Sequence, residues 1–152
     1  MSSSSVAMLD ALPADHRRVF LEHASKVTFP QGWRIFDEGR FADKFWIVRS
    51  GAVSLDMNIP GRGTVSMETL GPGELLGWSW LFAPYRWQLA GRALGTVDAY
   101  EFNAAEIRDL CKEHPALGHA IVLAAAETIA HRLNSARNRM IDIYGPRLQE
   151  HA

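Results

Sequence analysis

The apolar positions change their spacing twice along the chain and so divide it into three zones. In the first, from about Val6 to Ser25, Leu12-Pro13-Ala14-Asp15 reads as a helix start, and Val19, Phe20 and His23 follow at helical spacing. In the second, from Lys26 to Phe102, short apolar–polar alternations take over: KVTF, WRIFDEG, FWIVRSG, AVSLDMN, TVSMETL, WQLAGRAL and TVDAYEF. Glycine and proline turns punctuate them at Pro30-Gln31-Gly32, Glu38-Gly39, Ser50-Gly51, Pro60-Gly61-Arg62-Gly63, Gly71-Pro72-Gly73 and Gly95. Short strands with evenly spaced turns predict an antiparallel sandwich or barrel, and MNIPGRGTVSM within it predicts a hairpin.

The third zone returns to helical spacing. Asn103 is placed to cap a short helix, AAEIRDLCKEH, which Pro115 ends. A second helix is predicted from Pro115 to Tyr144, with Gly145-Pro146 as its stop. Roughly thirty residues of helix extend about 45 Å, more than a domain of this size needs for its own core. Along it Val122, Ala126, Ile129, Leu133, Ala136, Met140 and Ile143 step by 4, 3, 4, 3, 4 and 3. That 3.5-residue repeat predicts a two-helix coiled coil in a homodimer. A separate face, with Leu117, Ile121, Ala124 and Ala125, is suited to packing on the sheet. Polar residues dominate HRLNSARNRM off the seam, as in a helix that projects from its domain.

Composition narrows the function classes. The chain of 152 residues, 47% of them apolar, is the size of one domain with a real core. A net charge of −1 gives no basic excess for nucleic acid or acidic membranes. One cysteine, Cys111, excludes an internal disulfide and a multi-thiolate metal site, and it is expected to be a buried small hydrophobe. No window approaches twenty apolar residues and the start has no basic, apolar leader pattern, so a cytoplasmic location without membrane contact is expected. Residues 1–11, with the run Ser2 to Ser5, read as a flexible lead-in. The six histidines form no metal spacing, and the predicted strands contain none, which argues against a cupin-type enzyme. No P-loop, dinucleotide glycine pattern or Ser-His-Asp order stands out, so a non-enzymatic role is expected.

The most unusual stretch is GWSWLFAPYRWQLAGRA, Gly77 to Ala93, with three tryptophans, a tyrosine and a phenylalanine among two arginines. Its place in the chain gives it meaning. FDEGRFADKFWIVRSGAVSL, TLGPGELLGWSWLF and IAHRLNSARN, in that order, resemble the signature segments of cyclic-nucleotide-binding domains in the catabolite-activator and FNR-like regulators. The likeness runs from about Leu12 to Tyr144. It implies an α+β fold: an antiparallel, jelly-roll-like β-roll with an N-terminal helix before it, then a short helix and a long dimerisation helix, which make residues 12–144 the domain and 145–152 a tail. It also implies a phosphate-binding cassette, in which a short helix N-terminus and backbone amides receive the cyclic phosphate. There a glutamate takes the ribose hydroxyl and an arginine pairs with the phosphate as a charged fork.

With Gly73-Glu74 as the outer Gly-acidic pair, Gly77 opens the cassette, the ribose glutamate falls on Trp78 and the phosphate arginine on Trp87. Arg86 lies one residue off, and a one-residue step on a strand turns a side chain to the other face. A second register makes Gly73-Glu74-Leu75 the cassette's own Gly-Glu-Leu, restoring the glutamate but lengthening the distance to the arginine. The candidate ligand residues are therefore Gly73, Glu74, Leu75, Gly77, Trp78, Ser79, Tyr85, Arg86, Trp87 and Gln88.

Three readings stand open. Trp78 and Trp87 fill the pocket and leave a structural or protein-interaction module. They line a pocket for a flatter or less charged ligand, with Tyr85, Arg86 and Gln88 as polar contacts. Or a cyclic nucleotide binds through backbone amides and Arg86. The hydroxyl that reads adenine in relatives falls near Ala136 or Arg137, where this chain has no threonine. In the regulators a helix-turn-helix follows the dimer helix. Only Gly145 to Ala152 follow here, so no direct DNA binding is expected and an unknown protein partner is implied. Arg132, Arg137 and Arg139 read as a solvated helix face.

Overall fold

The computed structural model describes residues 7–150, with side chains to residue 143. The Ser2 to Ser5 run lies outside the described residues. Eight strands form two four-stranded antiparallel sheets. One holds β1 (Ser25–Phe29), β8 (Val97–Asn103), β3 (Lys44–Ser50) and β6 (Leu75–Leu76), in that order. The other holds β2 (Arg34–Phe36), β7 (Ala90–Ala93), β4 (Val53–Ile59) and β5 (Gly63–Leu70). Helices α1 (Ala14–Leu21), α2 (Ala104–Glu113) and α3 (Pro115–Glu150) complete the β-roll.

The strands follow the alternation that predicts them. β3 and β4 join at Ser50-Gly51-Ala52, where Gly51 holds φ +89° and a Cβ would strike the carbonyl oxygen of Thr96. Only glycine turns the chain that tightly there. β4 and β5 form the predicted hairpin, paired from Ile59 opposite Gly63 to Val53 opposite Leu70 with a one-residue register shift between Leu55 and Asp56. The segment WQLAGRAL yields a strand over Ala90–Ala93 alone. Trp87 and Gln88 precede it in irregular chain, where the Trp87 backbone bonds to Gly39 and Arg40 and its side chain packs inward on Phe36. The two-residue β6 has no alternation of its own to reveal it.

Aromatic rings build the centre of the core. Phe45 of β3 stacks on Trp80 at 3.8 Å between centroids and on Phe102 of β8 at 4.9 Å. Phe20 of α1 stacks on Phe102 at 4.4 Å, which fixes α1 against the roll. All four rings are fully buried, and each contributes on the order of 2–3 kcal/mol by burial. Residues 8–11 depart from the expected flexible lead-in. They form a short 3-10 turn, because Met8 is fully buried and its backbone N–H donates to Gly73 O at 3.0 Å.

The helical zone follows its signals at the start and departs at the end. Asn103 Oδ1 accepts the backbone N–H of Glu106 at 2.9 Å, the expected cap of α2. The residues expected to face the sheet from α3, Leu117, Ile121, Ala124 and Ala125, are buried. The expected stop at Gly145-Pro146 is not taken: α3 continues to Glu150. Gly and Pro cost a helix about 1 and 3 kcal/mol, a bias that the backbone here overrides. Along the heptad seam Val122, Leu133, Met140 and Ile143 are 47–69% exposed, and Ile129 and Ala136 are half-buried.

Candidate functional site

The stretch from Gly77 to Trp87 crosses the gap between β6 and β7. The resemblance implies a short helix at its start, but residues 79–84 make turns, with the Leu81 N–H on Trp78 O and the Tyr85 N–H on Phe82 O. Each aromatic there has a different fate. Trp80 enters the core, and its indole N–H donates to Gly77 O at 3.3 Å. Phe82 is 60% exposed. Tyr85 packs beside the Arg108 guanidinium, 4.3 Å from the ring centroid. Trp87 turns into the roll, stacks on Phe36 at 4.1 Å and lies 6.1 Å from Trp46. Gly77, at φ +87°, gives Trp87 its room: a Cβ there would collide with the indole.

Two small spaces adjoin these rings: a crevice of about 30 Å³ lined by Phe36, Leu55, Gly77, Trp78, Ser79, Trp87, Gln88, Leu89 and Arg132, and a shallow pocket of about 100 Å³ lined by Trp78, Ser79, Phe82, Ala83, Pro84, Arg86 and Gln88. The predicted site residues therefore divide. Gly77, Trp78, Ser79, Trp87 and Gln88 meet at this crevice. Gly73, Glu74, Leu75, Tyr85 and Arg86 do not line it. Glu74 is buried, with Oε2 accepting the Gly71 N–H at 2.6 Å, so its carboxylate closes its own turn. Leu75 is core in β6. Arg86 is exposed; its backbone bridges Phe41, and its guanidinium reaches only the Gly39 carbonyl at 3.4 Å. A larger groove of about 480 Å³, edged by Asp37, Arg40, Lys44 and Glu101, shares Phe36 and Trp87 with the crevice.

Arg132 corrects the expectation of a solvated arginine face. It is 6% exposed and donates through Nη2 to the Leu75 carbonyl, while Nε lies 3.8 Å from Glu68 Oε2. Its guanidinium sits 5.6 Å from the Trp78 ring centroid, within cation–π range. Arg137 and Arg139 are exposed as expected. The signal for Arg132 was its spacing: it continues the buried face from Ile121 through Ala125 and Thr128. An arginine on that stripe must reach inward or leave the stripe unfilled.

Burial governs the pair. It pulls Arg132 below the usual guanidinium value, against the opposing charges of Glu68 and Glu74. It raises the Glu68 carboxyl above the ordinary carboxylate value, with Arg132 opposing. Both partners are pushed toward neutrality, so desolvation outweighs their attraction. Cys111 is half-buried rather than fully buried, and burial also raises its thiol. Among the described residues no group of three histidine, cysteine or acidic side chains could hold a metal ion, and no helix is long and apolar enough to cross a membrane.

Comparison with known proteins places this architecture. The Cyclic nucleotide-binding domain family matches residues 26–114, and the chain belongs to that family. It is 23% identical over 117 residues to a CRP-like cAMP-activated global transcriptional regulator of Mycobacterium tuberculosis, covering 77% of this chain and 50% of the relative. The chain thus spans about half the length of the curated relatives it matches. In fold it is similar to a cyclic nucleotide-binding domain from Methylobacillus flagellatus (TM-score 0.80, 14% identity, 91% of this chain and 82% of that one). It is likewise similar to the Thermus thermophilus Catabolite Activator Protein (TM-score 0.71, 23% identity, 90% and 62%). The β-roll and long C-terminal helix expected from the sequence are those of this family.

Proposed function

We propose that the chain is a regulatory, non-catalytic domain of the CRP/FNR-like type. In this reading its pocket does not hold cyclic AMP or cyclic GMP in the family's usual way, and it works as a homodimer through α3. One observation carries the reading: the Trp87 indole is buried between Phe36 and the bare backbone of Gly77, in the cassette segment. A cyclic nucleotide entering there would find only about 30 Å³ between the rings, and Arg132, the cation lining that space, has its charge offset by Glu68 at 3.8 Å.

The dimer half of the proposal rests on α3. Its seam carries apolar side chains that its own domain leaves uncovered, and an exposed 3.5-residue repeat is the pattern that a second helix buries. A ligand near Arg132 would act on that helix directly, because Arg132 ties α3 to β6. Direct DNA contact forms no part of this reading: Arg132 of α3 is buried and the net charge is −1.

The small size of the crevice favours a second reading, a module whose pocket is simply filled by tryptophan. Sedimentation velocity and calorimetry in parallel test the first. A dimer that gives no heat with cyclic AMP or cyclic GMP supports it. A monomer at tens of micromolar, or micromolar binding of either nucleotide, rejects it.

A further inference from the structure

We propose that the crevice is a binding site for a small organic carboxylate with a flat apolar body, anchored by Arg132. This rests on reading the crevice as a ligand pocket, and it names the ligand's chemistry.

The anchor is a built one. The Arg132 guanidinium is 6% exposed, and of its three nitrogens only Nη2 has a hydrogen-bonding partner, the Leu75 carbonyl. Nε and Nη1 are buried with no partner among the described residues. Glu68 offsets the charge from 3.8 Å, too far to accept a hydrogen bond. A buried cation with two idle nitrogens is costly to maintain; these two do not share an edge, so a carboxylate forks onto the guanidinium by pairing one of them with the second hydrogen of Nη2.

The surroundings set the rest of the ligand. The apolar lining is Phe36, Leu55, Trp78, Trp87 and Leu89, with Ser79 and Gln88 as polar neighbours. A volume of about 30 Å³ takes about two waters. It therefore suits a carboxylate head, and the body must lie toward the mouth. Trp78, half-buried over the guanidinium, is the side chain that turns to admit it. Its ring then offers a flat face to the ligand body. An anion here meets Glu68 and Glu74 as like charges, with His131 and Arg139 opposing them from α3. Selectivity thus requires the ligand to compete with Glu68 for Arg132.

The test uses benzoate as probe and benzamide as its uncharged counterpart, read by calorimetry and tryptophan fluorescence on the full chain. Benzoate is expected to bind at least tenfold more tightly than benzamide. Arg132→Gln is expected to abolish the difference, and Arg132→Lys, which keeps the charge without the fork, to recover part of it. Glu68→Gln removes the competing carboxylate and is expected to tighten benzoate several-fold, a gain that a damaged fold does not mimic. Equal binding of the two probes, native-like benzoate binding in Arg132→Gln, or no benzoate binding even in Glu68→Gln overturns the assignment. Cyclic AMP in the same cell separates the levels. Its binding would sink the proposed function, whereas a silent benzoate titration alone would sink only the carboxylate.

Discussion

The indole of Trp87 and the ring of Phe36 stack with centroids 4.1 Å apart and planes 25° from parallel, joining the segment before β7 to β2 across the inside of the roll. Both rings are buried, Trp87 to 4% exposure. This contact makes Trp87 part of the core as well as a wall of the crevice.

Trp87→Ala therefore removes a packed core side chain. The expected loss of unfolding free energy is about 3–5 kcal/mol, measured by urea denaturation, with a smaller loss for Trp87→Phe. A loss below about 1 kcal/mol would mean that the ring lines a space the fold does not need filled.

The exposed seam of α3 makes a separate prediction. Leu133 is 69% exposed, so Leu133→Glu touches little within its own domain. The expected outcome is a shift from dimer to monomer in sedimentation velocity. At dilutions where the native chain is itself monomeric, the variant's stability should lie within about 0.5 kcal/mol of it.

Asp98 provides a pH test. Thr28 Oγ1 and Ser50 Oγ donate to its carboxylate at 2.7 and 3.0 Å, linking β1, β8 and the end of β3. The Thr28 bond first, then Ser50, holds the Asp98 carboxyl below its ordinary value of 3.8. A depressed carboxyl contributes stability above the unfolded value, and that contribution is lost as pH falls through the folded one. The stability difference between the native chain and Asp98→Asn should thus shrink below about pH 4. A constant difference from pH 6 to pH 3 would contradict the assignment.

The sequence carried the fold well because its signals are local. The period change at Phe102, the Asn103 cap and the Gly51 turn each follow from a few neighbouring residues. The Gly145-Pro146 stop was misjudged because a local bias does not fix a helix end. The site was less legible. The cassette register points to Trp78 and Trp87 and sets Arg86 one step off, yet Tyr85 and Arg86 stay among the candidate polar contacts because side-chain direction in an irregular segment has no period; neither lines the crevice. Arg132 was hidden by its chemistry: an arginine at a helical position reads as solvated until Leu75 and Glu68 are seen to face it.

The most direct measurement is fluorine NMR of the chain labelled with 5-fluorotryptophan, the Trp87 signal assigned through Trp87→Phe, during titration with cyclic AMP. The account expects the Trp87 resonance to stay in place up to millimolar nucleotide, because the indole already fills the space. A Trp87 resonance that moves and saturates at micromolar cyclic AMP would contradict it.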